Sequence, residues 1–471
     1  MQTATLVQQE SQSGPLASIA GKVQKLRDTF ASGHSKDIEW RTTQLQQLKA
    51  MMVEQEEKFM SALKLDLNKC ELEAWTSEIG FIMGDVDHTI KHLHHWAQPR
   101  KVSTPLFAQP GKSYSLPEPL GTVLIIGAWN YPIQLVLAPL VAAIAAGNCA
   151  VIKPSELSVN CSALLAELLP QYLDQKAFMV IEGAVAETTE LLKLQFDHIM
   201  YTGGEGVAKI IMRAAAEHLT PVTLELGGKS PCIVDSDTNM EVTAARIVWS
   251  KWMNAGQTCV APDYVIVEKA FADELIGLVK DKVEAFYGAD IKQSPDYGRI
   301  VNPRHFARLV SYLENQNVVC GGDVDPDTNY ISPTIVLNPD PQSPLMQQEI
   351  FGPILIINTV DKITQAIDMI NSKPKPLALY LYSNNKEFEE QVLHQTSAGN
   401  VGINDGFMFM TNPNLPFGGV GKSGMGSYHG QTGFDTFSHL KTVMKRSFIF
   451  DVDLRYPPFS SKKLGILKKL I

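Results

Sequence analysis

The hydrophobic pattern of the chain changes near residue 120. Before that point, residues 17–65 and 76–96 carry helical periodicity among mixed charges. From Gly121 onward, short apolar runs alternate with helix-length segments. This alternation predicts βαβ units and a parallel sheet, with ligand sites at the carboxyl ends of the strands.

The predicted elements form two series. In the first series we predict strands at 121–126, 149–152, 178–181, 198–201 and 221–226, with helices at 132–146, 158–169 and 205–218. After residue 229 the alternation restarts, with strands at 232–235 and 264–268 and helices at 239–253 and 271–285. The restart predicts a second α/β domain.

Two further segments fit neither series. Residues 97–119 are Pro-rich and extended, and residues 442–454 alternate like a strand. Together they predict a small sheet used for dimer contacts.

The length of 471 residues agrees with more than one domain, because a chain of this size is too long for a single compact core.

Charge and cysteine usage narrow the class of protein. A formal net charge of -9 and the lack of a basic stripe in the body of the chain argue against a nucleic-acid partner. No pair of the six cysteines has CxxC spacing, so we expect no metal or redox motif. Residues 1–14 lack the basic start and apolar core of a signal peptide. A reducing cytoplasm is the expected compartment.

One cysteine stands out by its position. The stretch NAGQTCVAP, residues 254–262, places Cys259 on a polar connection that contains Gly256, between a predicted helix and a predicted strand. A thiol that only fills space is expected in an apolar run, as for Cys149 and Cys232. Cys259 is therefore a candidate nucleophile.

Two polar residues accompany it at predicted strand ends. Glu225 lies among leucines in LELGGK, where burial would raise the pKa of its carboxyl and suit a general base. Asn130 follows the first strand in GAWNYP, either as an amide donor to a ligand or as the cap of the helix at Pro132. A thiol, an amide and a carboxylate together suit covalent catalysis at a carbonyl.

The second strand ends in KPSE. Glu156 stands where dinucleotide folds bind ribose hydroxyls, and Ser155 alone explains the turn as a helix cap. Both interpretations are compatible.

Two other motifs carry less weight. Residues 419–424, GVGKSG, match G-x-G-x-x-G but follow a Pro- and Asn-rich loop, so we interpret them as a close-approach backbone loop. His88 and His92 lie one helical turn apart without a Cys or carboxylate to complete a metal site, and a solvated helix face explains them equally well.

Taken together, these motifs resemble the aldehyde dehydrogenase superfamily. The resemblance rests on GAWNYP, IKPSE, VTLELGGKSP, NAGQTCVAPDY, QQEIFGP and LPFGGVGKSGMGSYHG, which occur in the family's order over roughly residues 20–457. The finer pattern, including the closing FSHLK and DLRYPP, is most similar to the class 3 and fatty aldehyde dehydrogenase branch.

The resemblance implies a role for each matching residue. It implies that Cys259 is the nucleophile, that Asn130 and the Cys259 N–H form the oxyanion hole, and that Glu225 activates the hydrolytic water. For the cofactor and the cavity beside it, the residues implied are Lys153, Glu156, Gly203, Gly204, Glu349, Phe351, Tyr131, Asn404 and Phe417.

One turn departs from the family pattern. The family's TGSTAVG reads TGGEGVA here, at residues 202–208. Gly204 replaces a small polar residue, and Glu205 adds a negative charge that suits a helix N-terminus but would repel a 2′-phosphate if it pointed inward. The departure favours NAD, with NADP possible.

The resemblance also implies the organisation of the chain. We expect an NAD(P)-binding, Rossmann-like domain, an α/β catalytic domain, oligomerisation strands and a basic amphipathic C-terminal tail. Their expected ranges are 15–97 with 119–228, then 229–436, then 98–118 with 437–454, and finally 455–471.

The expected function is NAD(P)-dependent oxidation of aldehydes, medium- to long-chain and apolar, to carboxylic acids in a homodimer. Two alternatives are a CoA-acylating relative, which has little use for Glu225, and a non-catalytic protein on the same scaffold, which has no need of Cys259. The tail KKLGILKKLI is either a short solvated helix, the interpretation we favour, or a peripheral membrane contact.

Overall fold

The structure is a computed structural model that describes residues 17–449, 451 and 453–470. The polar segment 1–14 lies outside the described residues. The described part contains the following strands: β1 Arg100–Val102, β2 Gly111–Pro119, β3 Thr122–Ile126, β4 Cys149–Lys153, β5 Phe178–Val180, β6 His198–Thr202, β7 Val222–Glu225, β8 Pro231–Val234, β9 Tyr264–Glu268, β10 Val318–Cys320, β11 Val324–Asp325, β12 Tyr330–Ile331, β13 Thr334–Leu337, β14 Ile354–Val360, β15 Ala378–Tyr382, β16 Asn400–Ile403, β17 Gly424–Met425 and β18 Ser438–Arg446.

The helices of the described part are α1 Ala17–Ala31, α2 Ile38–Glu54, α3 Glu56–Leu67, α4 Glu71–Ala74, α5 Gly80–Trp96, α6 Gln134–Ala146, α7 Val159–Tyr172, α8 Val185–Leu192, α9 Glu205–His218, α10 Met240–Trp252, α11 Ala272–Tyr287, α12 Pro303–Ser311, α13 Pro344–Gln347, α14 Gln365–Asn371, α15 Lys386–Gln395, α16 Gly430–Thr436 and α17 Ser461–Leu470. A π-helical turn, Trp75–Ile79, joins α4 to α5.

The first large sheet confirms the first predicted series. Its six strands lie in the order β17-β7-β6-β3-β4-β5, and all pairs are parallel except β17 with β7. Every residue of β3, β4 and β6 is buried, as expected for parallel strands covered on both faces. Helix α6 is buried all round and ends at Gly147, whose φ of 93° suits glycine.

The second large sheet contains the strands predicted after residue 229. Its seven strands lie in the order β10-β13-β14-β9-β8-β15-β16, and only β10 pairs antiparallel. Strand β9 is central in this sheet, and the turn that carries Cys259 leads into it. The second predicted series of alternating strands and helices is therefore confirmed.

The small third sheet corrects one predicted strand. Its strands β1, β2 and β18 are antiparallel, so the expected pairing of the segments near 100 and 440 is confirmed. The prediction of a strand over 442–454 is wrong, because β18 starts at Ser438 and ends at Arg446. Arg446 pairs with Gly111, and the residue before Gly111 is Pro110, which has no N–H to extend the ladder.

Residues 424–436 join the first sheet rather than the second. Gly424 and Met425 form β17, which pairs with β7, and helix α16 packs on α5 and α6. These residues were expected in the catalytic range 229–436, but they pack with the first large sheet.

The C-terminal segment ends in an exposed helix, α17, with the amphipathic composition expected from the sequence. Within the described residues, no helix combines the length and the apolar character that a bilayer crossing requires.

The side chain of Asn148 connects separate backbone segments beside the first large sheet. We expect its replacement to lower the stability of the fold. The buried side chain accepts from Gly121 N at 2.8 Å and donates to Phe437 O at 2.9 Å. Asn148→Ala leaves both buried groups unpaired and should lower the free energy of unfolding by about 2–4 kcal/mol. Chemical denaturation measures this. Asn317→Ala, at an exposed amide, is the control, and equal losses for the two variants would contradict the account.

Candidate active site

A cleft of about 540 Å³ runs along the carboxyl ends of the first sheet. At one end it lies between α8 and α9, and at the other it reaches Cys259 and Glu225. His305, Arg308 and residues 349 and 351 close it from the side of the second sheet. The cleft therefore has the position at which open α/β sheets bind ligands.

The turn before Cys259 has an unusual backbone. Asn254, Ala255 and Gly256 have φ values of 52°, 50° and 74°, three successive residues in the left-handed region. Such a conformation costs about 1–3 kcal/mol for each residue that is not glycine. A Cβ on Gly256 would lie 2.3 Å from the carbonyl oxygen of Gly352, so only glycine fits there.

Hydrogen bonds hold this turn against Asn130. The side-chain Nδ2 of Asn130 donates to Gln257 O at 3.0 Å, and the side-chain Nδ2 of Asn254 donates to Asn130 O at 2.8 Å. Asn130 is buried, and its amide nitrogen keeps a second hydrogen beyond the bond to Gln257. The structure thus brings Asn130 to the Cys259 turn, and both line the cleft.

The Cys259 thiol lies in an electrostatically unfavourable place for a thiolate. Burial raises its pKa to about 12, and the nearby carboxyls of Glu349 and Glu225 act in the same direction. The backbone N–H groups of Cys259 and Val260 oppose the shift by hydrogen bonding to the sulfur. At neutral pH the resting thiol is therefore protonated.

Glu225 ends β7 as a buried carboxyl without a hydrogen-bond partner. Neither of its oxygens bonds to any group that the structure describes, although the residue is only 2% exposed. Burial raises the pKa of this carboxyl well above its usual value. The pKa therefore shifts in the direction that the apolar strand predicts.

Glu349 and Phe351 lie at the Cys259 end of the cleft. A Cβ on Gly227 would lie 2.2 Å from the Glu349 carboxyl, so this carboxyl packs directly on the LGG turn. Burial raises the pKa of Glu349 to about 8. Phe351 has a φ of 51°, and its ring lies edge-on to that of Trp129.

Lys153 and Glu156 line the cleft where β4 ends. The buried Lys153 Nζ donates to Pro154 O at 2.8 Å and lies 3.7 Å from the Glu156 carboxylate, which is half exposed. Burial lowers the pKa of Lys153, and the carboxylate of Glu156 opposes the shift. The pair can therefore offer one donor and one acceptor to neighbouring hydroxyls.

Gly203 and Gly204 form the turn between β6 and α9, and both line the cleft. A Cβ on Gly203 would lie 2.2 Å from the Tyr201 hydroxyl, so the turn packs closely. Glu205 does not line the cleft. Its carboxylate pairs with Lys209 at 2.6 Å on the solvent side of the helix, which removes the structural basis for expecting it to repel a 2′-phosphate.

Three predicted cavity residues do not line this cleft. The side-chain amide of Asn404 bonds to both backbone groups of Ser383, and its place in the substrate cavity stays a prediction. Tyr131 donates or accepts a 2.7 Å hydrogen bond with Thr258, directly beside Cys259, and Phe417 stacks on His429. Tyr131 therefore lies next to the turn that carries the thiol and does not line the cleft.

The two motifs given less weight have structural explanations. Gly419 and Gly424 approach backbone atoms so closely that a Cβ would lie 2.1 Å from Ser423 O and 2.2 Å from Leu224 O, respectively. The rings of His88 and His92 lie 4.3 Å apart. The described residues contain no cluster of three or more His, Cys, Asp or Glu side chains able to hold a metal.

The sequence interpretation missed an apolar slot at the far end of the cleft. Val185 on α8 faces Val207 and Ile210 on α9, and all three side chains are exposed. Exposed apolar residues at positions 207 and 210 of a predicted helix are the signal that could have identified it.

Comparisons with known proteins place the chain. The profile of the Aldehyde dehydrogenase family matches residues 9–443. Aldehyde dehydrogenase family 3 member A2 of Rattus norvegicus is 51% identical, over 94% of this chain and 92% of that protein. The dimeric NADP-preferring aldehyde dehydrogenase of Rattus norvegicus is 47% identical, over 95% of this chain and 99% of that protein.

Comparison with solved structures gives the same result as comparison with sequences. AldH of Staphylococcus aureus in a substrate-bound state superposes with a TM-score of 0.94 at 44% identity, covering 96% of this chain and 99% of that one. An aldehyde dehydrogenase of Mycobacterium tuberculosis in complex with NAD+ gives 0.83 at 26% identity, covering 93% and 92%. Fold and cleft are those of an α/β oxidoreductase. The chain belongs to the aldehyde dehydrogenase family.

The buried carboxyl of Glu225 should make stability depend on pH. The unfolded carboxyl ionises near its usual pKa, whereas burial raises the pKa of the folded one, so the unfolded state is favoured as pH rises between the two pKa values. Glu225→Gln removes this penalty, and its gain in unfolding free energy should grow between pH 5 and 8, by at most about 1.4 kcal/mol per pH unit.

Denaturation at several pH values measures this gain. Glu217→Gln, at an exposed position of α9, is the control. An equal gain for Glu225→Gln at pH 5 and pH 8 would contradict the assignment of a buried neutral carboxyl.

Proposed function

We propose that the chain oxidises aldehydes to carboxylic acids with NAD or NADP, through Cys259. The observation that carries the proposal is the convergence of Cys259, Asn130 and Glu225 at one end of a long cleft. The three supply a nucleophile, an oxyanion donor and a base within one site.

In the first half-reaction, the Cys259 sulfur attacks the carbonyl carbon of the aldehyde. The carbonyl oxygen gains the electron pair, and the free hydrogen of the Asn130 amide, with the Cys259 N–H, stabilises it. The thiol must first lose its proton, which its raised pKa opposes. When bound, the oxidised cofactor would supply a positive charge that opposes this shift and the acceptor for the hydride that leaves the aldehyde carbon. Loss of that hydride re-forms the C=O bond and leaves a thioester on Cys259.

In the second half-reaction, a thioester on Cys259 is hydrolysed. Glu225 must first lose its own proton, which its raised pKa opposes. The ionised carboxylate then takes a proton from water, the hydroxide adds to the thioester carbonyl, and the thiolate leaves as the acid forms. The two Glu225 oxygens lack protein partners and so are open to a water. This role favours hydrolysis over transfer to CoA, and an activated nucleophile has no use in a non-catalytic scaffold.

The cleft fits a dinucleotide along its whole length. We place the adenine in the slot beside Val207, the ribose on Lys153 and Glu156, and the pyrophosphate at the turn of Gly203 and Gly204. Glu349 and Phe351 then hold the nicotinamide end. The division of the chain into cofactor-binding, catalytic and oligomerisation segments stays a prediction.

Both cofactors are compatible with the site. Glu205 pairs with Lys209 outside the cleft, so it does not oppose a 2′-phosphate. A related enzyme of Rattus norvegicus is named NADP-preferring, which supports NADP as well as NAD.

Medium- to long-chain apolar aldehydes are the proposed substrates. Largely buried aromatic side chains lie near the Cys259 turn. Tyr131 bonds to Thr258, and the rings of Tyr380, Phe409 and Phe417 stack in succession. An apolar chain buried there gains about 0.8 kcal/mol per methylene.

We propose a cytoplasmic homodimer formed through the small third sheet. Leu440 and Met444 on β18 and Val102 on β1 are exposed apolar side chains on that sheet. The dimeric relative supports this state, and a molar mass of one chain in solution at micromolar concentration would exclude it.

Helix α17 is the proposed contact with a membrane surface. Leu464 and Ile466 are exposed apolar residues on a helix that also carries basic residues in its last turn. Deleting residues 458–471 should reduce cosedimentation with anionic vesicles, because both the apolar contact and the charge attraction are lost. Equal binding of the full and shortened chains would remove this proposal, and soluble-aldehyde turnover serves as the folding control.

Glu225→Gln separates the two half-reactions. The variant should release about one reduced cofactor per active site in a burst and then turn over roughly 10²–10⁴-fold more slowly, because only thioester hydrolysis needs the base. Stopped-flow absorbance follows the burst. Cys259→Ala should give neither phase, whereas Cys320→Ala, at a cysteine outside the cleft, should keep both. Turnover by Cys259→Ala would overturn the mechanism.

A further inference from the structure

A buried ion pair lies against the segment that carries Asn130. Lys69 Nζ and a Glu78 carboxylate oxygen are 2.5 Å apart, and both side chains are fully buried. Removing two charges from water often costs more than their attraction returns, so such a pair is weak evidence for a purely stabilising role. The other contacts of Lys69 and Glu78 indicate the role of the ion pair.

Lys69 contacts Asn130, the proposed oxyanion donor, at the backbone carbonyl of that residue. Its Nζ donates to Asn130 O at 3.1 Å and lies 3.8 Å from the centre of the Tyr131 ring. The ammonium therefore contacts two successive residues of the GAWNYP segment as well as Glu78. A lysine, with three donors and no acceptor, suits this convergence.

Glu78 holds the other side of the same segment. Its second carboxylate oxygen accepts from Ile133 N at 2.8 Å and from Gln134 N at 3.2 Å, at the start of α6. These N–H groups have no partner within the helix, and the negative charge favours the helix N-terminus. Glu78 belongs to the π-helical turn Trp75–Ile79, a rare geometry that is frequent at functional sites.

The pair thus fixes the loop from Asn130 to Gln134. Asn130 O accepts from both Lys69 and Asn254, so the peptide that sets the direction of the Asn130 side chain is held from two sides. On the far side, Asn130 Nδ2 bonds to Gln257 O. Without Lys69, only the strained turn at 254–257 would position the amide.

We propose that Lys69, supported by Glu78, is a positioning residue for Asn130 and sets the geometry of the oxyanion hole. The inference rests on the proposed role of Asn130. Small displacements of an oxyanion donor cost rate, because the donor must point to where the charge develops. Lys69 itself does not line the cleft.

Two reactions of Cys259 distinguish positioning from a general structural role. Hydrolysis of p-nitrophenyl acetate needs an oxyanion hole, because the thiolate adds to a carbonyl before p-nitrophenolate leaves. Alkylation by iodoacetamide does not, because the thiolate displaces iodide directly. Neither reaction needs the cofactor.

The main variant is Lys69→Met/Glu78→Gln, which removes both charges of the pair together. Acyl transfer from p-nitrophenyl acetate should fall roughly 10–100-fold, since part of the effect of losing an oxyanion donor is expected. The alkylation rate should stay within about twofold, because the thiol is not displaced. A second variant, Lys69→Arg, keeps the charge with different donor directions and should show the same selective loss.

Asn130→Ala provides the decisive background. In that background, Lys69→Met/Glu78→Gln should cause no further loss of acyl transfer, because residues acting through one group are not additive. Leu93→Ala, which removes a fully buried side chain of α5, is the control for lost stability and should affect both reactions alike or neither.

The outcomes separate the two proposals. If Asn130→Ala leaves acyl transfer unchanged, the proposed function of Asn130 fails. If Asn130→Ala slows acyl transfer but the Lys69 variants do not, only the positioning inference fails. Equal losses in acyl transfer and alkylation, or additive losses in the Asn130→Ala background, would also overturn the inference.

Discussion

The candidate site depends on the hydrogen bonds between Asn130 and the turn at 254–257. Asn130 accepts from Asn254 and donates to Gln257, so each segment fixes the other. This contact holds three left-handed residues, two of them not glycine, in a conformation that a free chain would leave. Because the turn leads directly to Cys259, the same bonds set the distance between thiol and amide.

Around this contact, burial disfavours the charged forms of the ionisable side chains. Burial raises the pKa values of Cys259 and Glu349 to about 12 and about 8, and it raises that of Glu225 well above its usual value. The proteins of this family act on neutral aldehydes, and a neutral resting site suits both such a substrate and a cationic cofactor. A positive charge bound in the cleft would lower the pKa of the thiol, in the same direction as the backbone N–H groups of Cys259 and Val260.

Much of the fold and part of the site follow from the sequence. The strands β3, β4 and β6 are continuous apolar runs between glycines and helices, which is how buried parallel strands read, and their positions were predicted within a few residues. Glu225 and Asn130 were recognisable because each places a polar group at or after the end of such a run, and Cys259 because it lies on a polar connection before one. Local pattern and tertiary structure agree at these positions.

The sequence was less informative wherever a side chain had a choice of partners. The resemblance implied a cavity position for Asn404, whose amide bonds to Ser383, and the Glu205 carboxylate pairs with Lys209 and does not line the cleft. The bounds of strand β18 differ from the predicted ones because they depend on its pairing with β2, in which Ser438 lies opposite Pro119, 319 positions earlier in the chain. Lys69 was overlooked because only the folded chain brings it to Asn130.

The most direct test of the account is to trap the acyl group. Glu225→Gln, mixed with an aldehyde and the oxidised cofactor and then acid-quenched, is digested and its peptides are weighed. The account predicts the mass of one acyl group, bound as a thioester, on the peptide that contains Cys259. An unmodified Cys259 peptide beside stoichiometric reduced cofactor, or the acyl group on another cysteine, would contradict it.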